Sequence, residues 1–321
     1  MKFQISNFKF QIRPATAEAA GVSAIGNRQS AIGNARAFSL IEVLVVVSLL
    51  SLIVLALMAV FSGTQRAFRS AVTQTDVLES SRATMDLMSA DLRGLTPSDG
   101  VSNGPVNLAV LANDTFYSPL VQTLPGSTVA RTNLLNYFFV LGRNNTTWTG
   151  TGYIVDTAST SPLYPLYRFY AETNINCSPA VLSGLFFTEI QNAQWTNLSH
   201  LVDGVVHLTV RAYDTNGTWI NDYSQPYTNA LNTAFLYPPL TGIGNGYGEA
   251  QLYMFSNTVP ASVELELGVL EDRPLAHAES MPHATPAQIA AKLNYLAQQA
   301  GAVHLFRQRV TVPNVDPTAY Q

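Results

Sequence analysis

Residues 37–61 read AFSLIEVLVVVSLLSLIVLALMAVF, and nothing else in the chain limits its folding as much. From Phe38 to Phe61, 24 residues carry one charged side chain, Glu42. As a helix this run is roughly 36 Å long, enough to cross a hydrocarbon core about 30 Å thick with some tilt. Leu44 to Val60 is apolar on every face apart from Ser48 and Ser51. The core helix of a soluble domain, the competing reading, ordinarily keeps a polar stripe over such a length. The run starts 37 residues into the chain and contains a carboxylate, so it is not a simple signal peptide beginning at Met1. A carboxylate within a spanning helix costs about 3 kcal/mol on insertion scales, so Glu42 is expected to meet a cation in the membrane.

Charge divides unevenly about this run. The 321 residues carry a net charge of −4. The first 37 hold five Lys/Arg (Lys2, Lys9, Arg13, Arg28, Arg36) against Glu18, leaving 12 basic and 20 acidic residues for the remainder. A part that acidic argues against nucleic acid as a partner, because that binding draws on clustered Lys and Arg. Arg28 and Arg36 precede the apolar run while Arg66 and Arg69 follow it, so flanking charge leaves the orientation open. The single cysteine, Cys177, has no partner for an internal disulfide and reads as an inert, partly buried residue.

Residues 1–37 contain near-duplicate segments, among them two copies of Ser-Ala-Ile-Gly-Asn, and read as a leader without a fold of its own. Residues 62–95 continue the helix in amphipathic form: Phe68, Val72, Leu78, Met85, Met88 and Leu92 recur at helical spacing, and Gly94 and Pro97 end it. Gly63 is a possible bend.

Residues 98–321 read as strands and loops. The expected strands are Val106–Leu111, Leu135–Leu141, Gly152–Asp156, Leu166–Ala171, Leu185–Gln191, Val205–Tyr213, Ala250–Phe255, Ser262–Leu270 and Val303–Val312. Alternation over His207–Tyr213 and Val263–Val269 predicts one solvated face, with Glu264 and Glu266 on it. Asn144–Thr151, Asn216–Asn232 and Thr241–Gly248 read as surface loops. A late helix over 286–300 is predicted from Thr285 as N-cap and Pro286 at the first position, with Ile289, Leu293 and Leu296 as its apolar stripe. The fold class is α+β: a long N-terminal helix on an antiparallel sheet.

Ala37-Phe38-Ser39-Leu40-Ile41-Glu42-Val43-Leu44 resembles the cleavage and methylation motif of type IV prepilins and type II secretion pseudopilins. The resemblance implies a pilin-like fold and cutting between Ala37 and Phe38 by a prepilin peptidase. It also implies N-methylation of Phe38, and an assembly role for Glu42 opposite the Phe38 amine of a neighbouring subunit. The family usually places Gly before the cut, and Ala37 implies slower processing. Tyr213-Asp-Thr-Asn-Gly-Thr-Trp219, Pro260–Leu267 and Leu166-Tyr-Arg-Phe-Tyr170 are similar to segments of J-type minor pseudopilins. The same resemblance implies a single-pass protein of a bacterial inner membrane, with its leader cytoplasmic and its C-terminal domain periplasmic. It would be surrounded by lipid and by other pilins, and help initiate or cap a pseudopilus in protein export.

Chemistry is sparse in the sequence. The five histidines (His200, His207, His277, His283, His304) form no zinc-binding spacing; His277 and His283 flank Glu279 in a stretch, Ala276–Ala284, that reads as a solvated loop. Asp214-Thr-Asn-Gly217 has part of the look of a calcium loop, but a hairpin turn explains it with fewer assumptions. Gly242–Gly248 is glycine-rich with no helix opening behind it and reads as a loop, not a phosphate cradle. No nucleophile elbow or P-loop is present, so neither an enzyme nor a cofactor is implied. The alternative function is a pilus-like surface subunit that adheres to a ligand through loop aromatics (Trp148, Trp219, Tyr223, Tyr227, Tyr237, Tyr247).

Overall fold

The structure, a computed structural model, describes residues 39–98, 104–112, 120–124, 126–158, 162–192, 195–221, 227–228, 232–237, 249 and 251–315. It divides into two units, Met1–Ser62 and Gly63–Gln321, and helix α1 (Leu40–Arg93) has residues in both.

In the first unit α1 starts where Ser39 caps it. No proline interrupts the run, and Ser48, Ser51 and Ser62 return their hydroxyls to the carbonyls of Val45, Val47 and Ala59 at 2.8, 2.7 and 2.9 Å. Each polar side chain is thus satisfied within the helix itself, which an apolar solvent demands. The most apolar 18-residue window has a mean hydropathy of 3.1, and none of it is buried by the described residues. Among the described residues, this helix is long and apolar enough to cross a membrane.

In the second unit the helix runs through Gly63 to Arg93, where Gly94 turns its N–H back to the carbonyls of Ala90 and Asp91. Thr96 N–H then bonds Leu141, and the Asn314 side-chain amide caps the Leu95 carbonyl at 2.9 Å. The chain continues as β1 (Val106–Ala112), β2 (Leu120–Thr123), β3 (Ala130–Asn133), β4 (Asn136–Asn144), β5 (Thr147–Val155) and β6 (Leu166–Asn174). Helix α2 (Ala180–Asn192) precedes β7 (Ser199–Val202), β8 (Val205–Tyr213), β9 (Tyr227–Thr228), β10 (Asn232–Tyr237), β11 (Gln251–Ser256) and β12 (Ser262–Leu270). Helices α3 (Asp272–Ser280) and α4 (Pro286–Gln298) come before β13 (Val303–Thr311).

The strands form an eight-stranded sheet in the order β7-β6-β5-β4-β1-β11-β10-β9, a three-stranded sheet β13-β12-β8 and the hairpin β2–β3. Every strand pair is antiparallel. One hydrophobic cluster joins α1 (Val77, Met85, Met88, Leu92) to the large sheet (Leu108, Phe138, Tyr153, Leu166) and to the small one (Leu208, Leu265, Leu267, Val310). On the other face of the large sheet, Phe139, Leu141, Ile154 and Phe169 pack on Leu182 and Phe186 of α2. Gly152 is needed there: a Cβ on it would lie 2.1 Å from the Phe186 ring.

Several expectations need correction. Leu185–Gln191 lies in α2 and is not a strand: Leu182, Phe186 and Ile190 recur every four residues toward the sheet. Asn144–Thr151 is a β-hairpin and not a loop, turning at Asn145 (φ 54°), with Trp148 buried in β5. The apolar stripe of α1 is Val77, Met85, Met88 and Leu92, while Phe68, Val72 and Leu78 are exposed. On α4, Leu296 is buried but Ile289 is exposed. Ala276–Ala284 is helical up to Ser280, because Leu275 and Ala278 bury against the core. The face predicted to be solvated is covered at β12 and β8, where Glu264 is only 8% exposed.

Candidate assembly site

Of the residues expected to act, Ala37 and Phe38 lie outside the described residues, and Glu42 lies in the first turn of α1. Its carboxylate is not isolated. Oε2 accepts the Ser39 N–H at 3.0 Å and the Ser39 hydroxyl at 3.1 Å, while the Glu42 N–H donates to Ser39 Oγ at 3.3 Å. This is a reciprocal capping box, and the free N–H groups of a helix start favour a negative charge there. The sequence reading missed Ser39; the signal was the Ser-x-x-Glu spacing directly before an apolar run.

From Leu40 (84% exposed) through Leu52 and Leu55 to Phe61, exposed apolar side chains follow on every face. Monomeric soluble proteins rarely leave so large a contiguous apolar surface bare. Among the described residues of this unit, a long apolar surface is bare and the Glu42 carboxylate lies in its first turn.

In the second unit the polar interior holds α1 and the sheets together. Arg168 grips Asp91 with Nε to Oδ2 at 2.9 Å and Nη2 to Oδ1 at 3.0 Å, and the Tyr153 hydroxyl donates to the same Oδ2. Burial first, and then the Asp91 charge, push the Tyr153 phenol far above its ordinary range, so it stays a donor. Burial works against the Arg168 charge, but its bonds to Asp91 outweigh that and raise its pKa.

On the small sheet, Glu264 bonds Arg307 at 2.8 Å and lies 3.8 Å from Arg211, which also bonds Glu249. Arg131 of β3 reaches Glu266 at 3.5 Å. His207, buried beside them, accepts the Leu134 N–H on Nδ1 at 3.1 Å. Its pKa falls to about 3, by burial first and then by the Arg131 and Arg211 charges. Glu266, 4.0 Å from Nε2, does not offset these, so His207 is neutral and the contact is no ion pair at neutral pH.

The remaining candidates do not converge. Glu279 accepts the Leu163 N–H at 2.8 Å, His277 packs edge-on against Tyr295 and His283 is exposed. Asp214 Oδ1 accepts the N–H groups of Asn216 at 2.9 Å and Thr218 at 2.7 Å, closing a turn with Gly217 at φ 80°. Cys177 is exposed and not partly buried, because it sits on the turn between β6 and α2. Among the described residues no group of three His, Cys, Asp or Glu is placed to hold a metal. Tyr223, Tyr247 and Gly242–Gly248 lie outside the described residues. Compared with family models, curated proteins and solved structures, the chain matches none.

Proposed function

We propose that this chain is a minor pseudopilin, with a pilin-like fold, that helps to initiate or cap a short filament in a type II secretion-like export machine. The string Ala37–Leu44, directly followed by a bare apolar helix, carries this reading. In it, prepilin peptidase cuts before Phe38 and methylates the new amine, residues 38–61 span the inner membrane, and the second unit is exported.

The physics asks for no active site. Apolar helices exchange lipid for one another, and Glu42 offsets the Phe38 amine of a neighbour. A mis-registered subunit leaves its carboxylate without that cation, which is costly in a medium of low dielectric. The capping box supports this role, because Ser39 orients the Glu42 carboxylate at the helix start before any partner arrives. The adhesive alternative loses ground, since Trp148 belongs to the core and Tyr227 and Tyr237 lie in strands β9 and β10, not in loops.

Intact mass and N-terminal sequencing of the protein recovered from membranes test the proposal. A mature start at Phe38 with one added methyl group supports it. A start at Met1, or a cut beyond Phe61, overturns it.

A further inference from the structure

The two sheets end differently. The large sheet closes on β7, four residues long, and β9, two residues long, whereas the small sheet ends on β8 and β13, each nine residues long, and Leu134 and Leu135 bridge to β8 at Leu208. Alternate residues of an antiparallel edge strand turn their N–H and C=O groups away from the sheet, and a long edge is a template for another strand. β13 pairs with β12 from Ser262↔Thr311 to Leu270↔Val303, and among the described residues no strand pairs with its outer edge.

The side chains say what that edge would accept. Phe306 and Val310 turn toward the core, while Leu305, Arg307, Arg309 and Thr311 are exposed on the opposite face. On this face four arginines (Arg131, Arg211, Arg307, Arg309) meet three glutamates (Glu249, Glu264, Glu266). Arg309 has no carboxylate partner among the described residues. It is held instead by Ser262 Oγ at 2.9 Å and by the Tyr213 ring, 3.9 Å from its guanidinium carbon. A guanidinium fixed in this way is pre-organised, with donors left for a carboxylate.

We propose that the open edge of β13 binds an extended acidic segment of a partner protein by strand addition. The backbone of the segment pairs with β13, and carboxylates two residues apart come to lie beside Arg307 and Arg309. Charges on an edge usually protect it against any added strand. Two arginines on one face, part of a positive excess, repel a basic strand and recruit an acidic one, so the edge selects its partner.

The test uses the full-length chain in detergent micelles and three labelled nonapeptides. One alternates Val with Glu, one alternates Val with Lys, and one is the Glu peptide with every second backbone amide methylated. Fluorescence anisotropy at low salt should show the Glu peptide binding at least about tenfold more tightly than either other peptide. Arg307→Glu/Arg309→Glu should invert the preference toward the Lys peptide. Equal binding of the Glu and Lys peptides, or no binding by either, overturns the proposal. Undiminished binding of the methylated peptide overturns strand addition, and this comparison leaves the protein unaltered. Self-association of the chain that blocks the Glu peptide and is abolished by Arg309→Glu also overturns it, by naming a second copy as the occupant.

Discussion

Arg168 of β6 holds Asp91 of α1 in a two-pronged grip, at 2.9 and 3.0 Å, and Tyr153 of β5 closes on the same carboxylate. The helix is thereby fixed to two neighbouring strands at one point, between the apolar contacts of Met88 and Leu92. Greasy contacts tolerate sliding along a helix; a bidentate pair does not. The group sets how far α1 is inserted against the large sheet.

Removing one member should therefore cost more than the pair is worth. Asp91→Ala leaves the Arg168 guanidinium and the Tyr153 hydroxyl largely buried without an acceptor, a loss of about 3 kcal/mol. Replacing the group together, with Asp91→Leu, Arg168→Met and Tyr153→Phe, should recover most of it. Urea unfolding followed by tryptophan fluorescence reads both variants. A single mutant as stable as the parent would show that the pair does not anchor the helix.

The position of α2 depends on a missing methyl group. A Cβ at residue 152 would lie 2.1 Å from Phe186 Cε2, and one at residue 150 would lie 2.9 Å from Leu182 Cβ. Gly152→Ala should destabilise the domain by roughly 1–3 kcal/mol, the usual cost of overpacking. Phe186→Leu alone should also destabilise it, yet added to Gly152→Ala it should return part of the loss. Strictly additive effects in the double mutant would place the strain elsewhere.

These residues also show what the sequence could and could not yield. Spans within β1, β4, β5, β6, β8, β11, β12 and β13, and the start of α4, were legible because they rest on local rules, while β2, β3, β7, β9 and β10 were not. Alternation marks β8 and β12, and Thr285 with Pro286 and Gln288 builds a complete capping box. Helix α2 was misread because its Phe, Thr and Ile content favours strands, and only packing on Phe139 and Phe169 makes its four-residue spacing count. A signal was present in Ser178-Pro179 ahead of it. The buried charges escaped for a different reason. Asp91 and Arg168 are 77 residues apart, and nothing local to either announces the other. Glu264 looked solvated because alternation reports only that two faces differ, while its partners, Arg211 and Arg307, stand on the strands to either side.

His207 makes stability depend on pH with a definite sign. Its folded pKa, about 3, lies below the 6.5 of the unfolded chain, so acid favours unfolding. The contribution is complete above pH 6.5 and is lost progressively as pH falls toward 3. At pH 4 the loss should be roughly 3 kcal/mol, with Arg131, Arg211 and Glu266 the charges that face the ring. His207→Asn, which retains an acceptor for the Leu134 N–H, should flatten the stability profile between pH 6.5 and 4. An unchanged slope in that window would assign the acid sensitivity to other groups.

The capping box at the start of α1 separates two roles that Glu42 could play. Ser39→Ala removes the hydroxyl that bonds both the Glu42 N–H and its carboxylate, and should cost about 1 kcal/mol of helix capping. The expected effect is faster amide hydrogen exchange in the first turn, with cleavage and partner binding preserved. Glu42→Leu removes the charge itself. On the proposed reading it should leave membrane insertion and cleavage before Phe38 intact while abolishing co-purification with partner pilins, because the carboxylate proposed to meet a neighbour's amine is gone. Glu42→Gln keeps most of the hydrogen bonding without the charge, and should fail in assembly as Glu42→Leu does. Normal co-purification of Glu42→Gln would reduce Glu42 to a helix cap and remove charge pairing from the assembly mechanism.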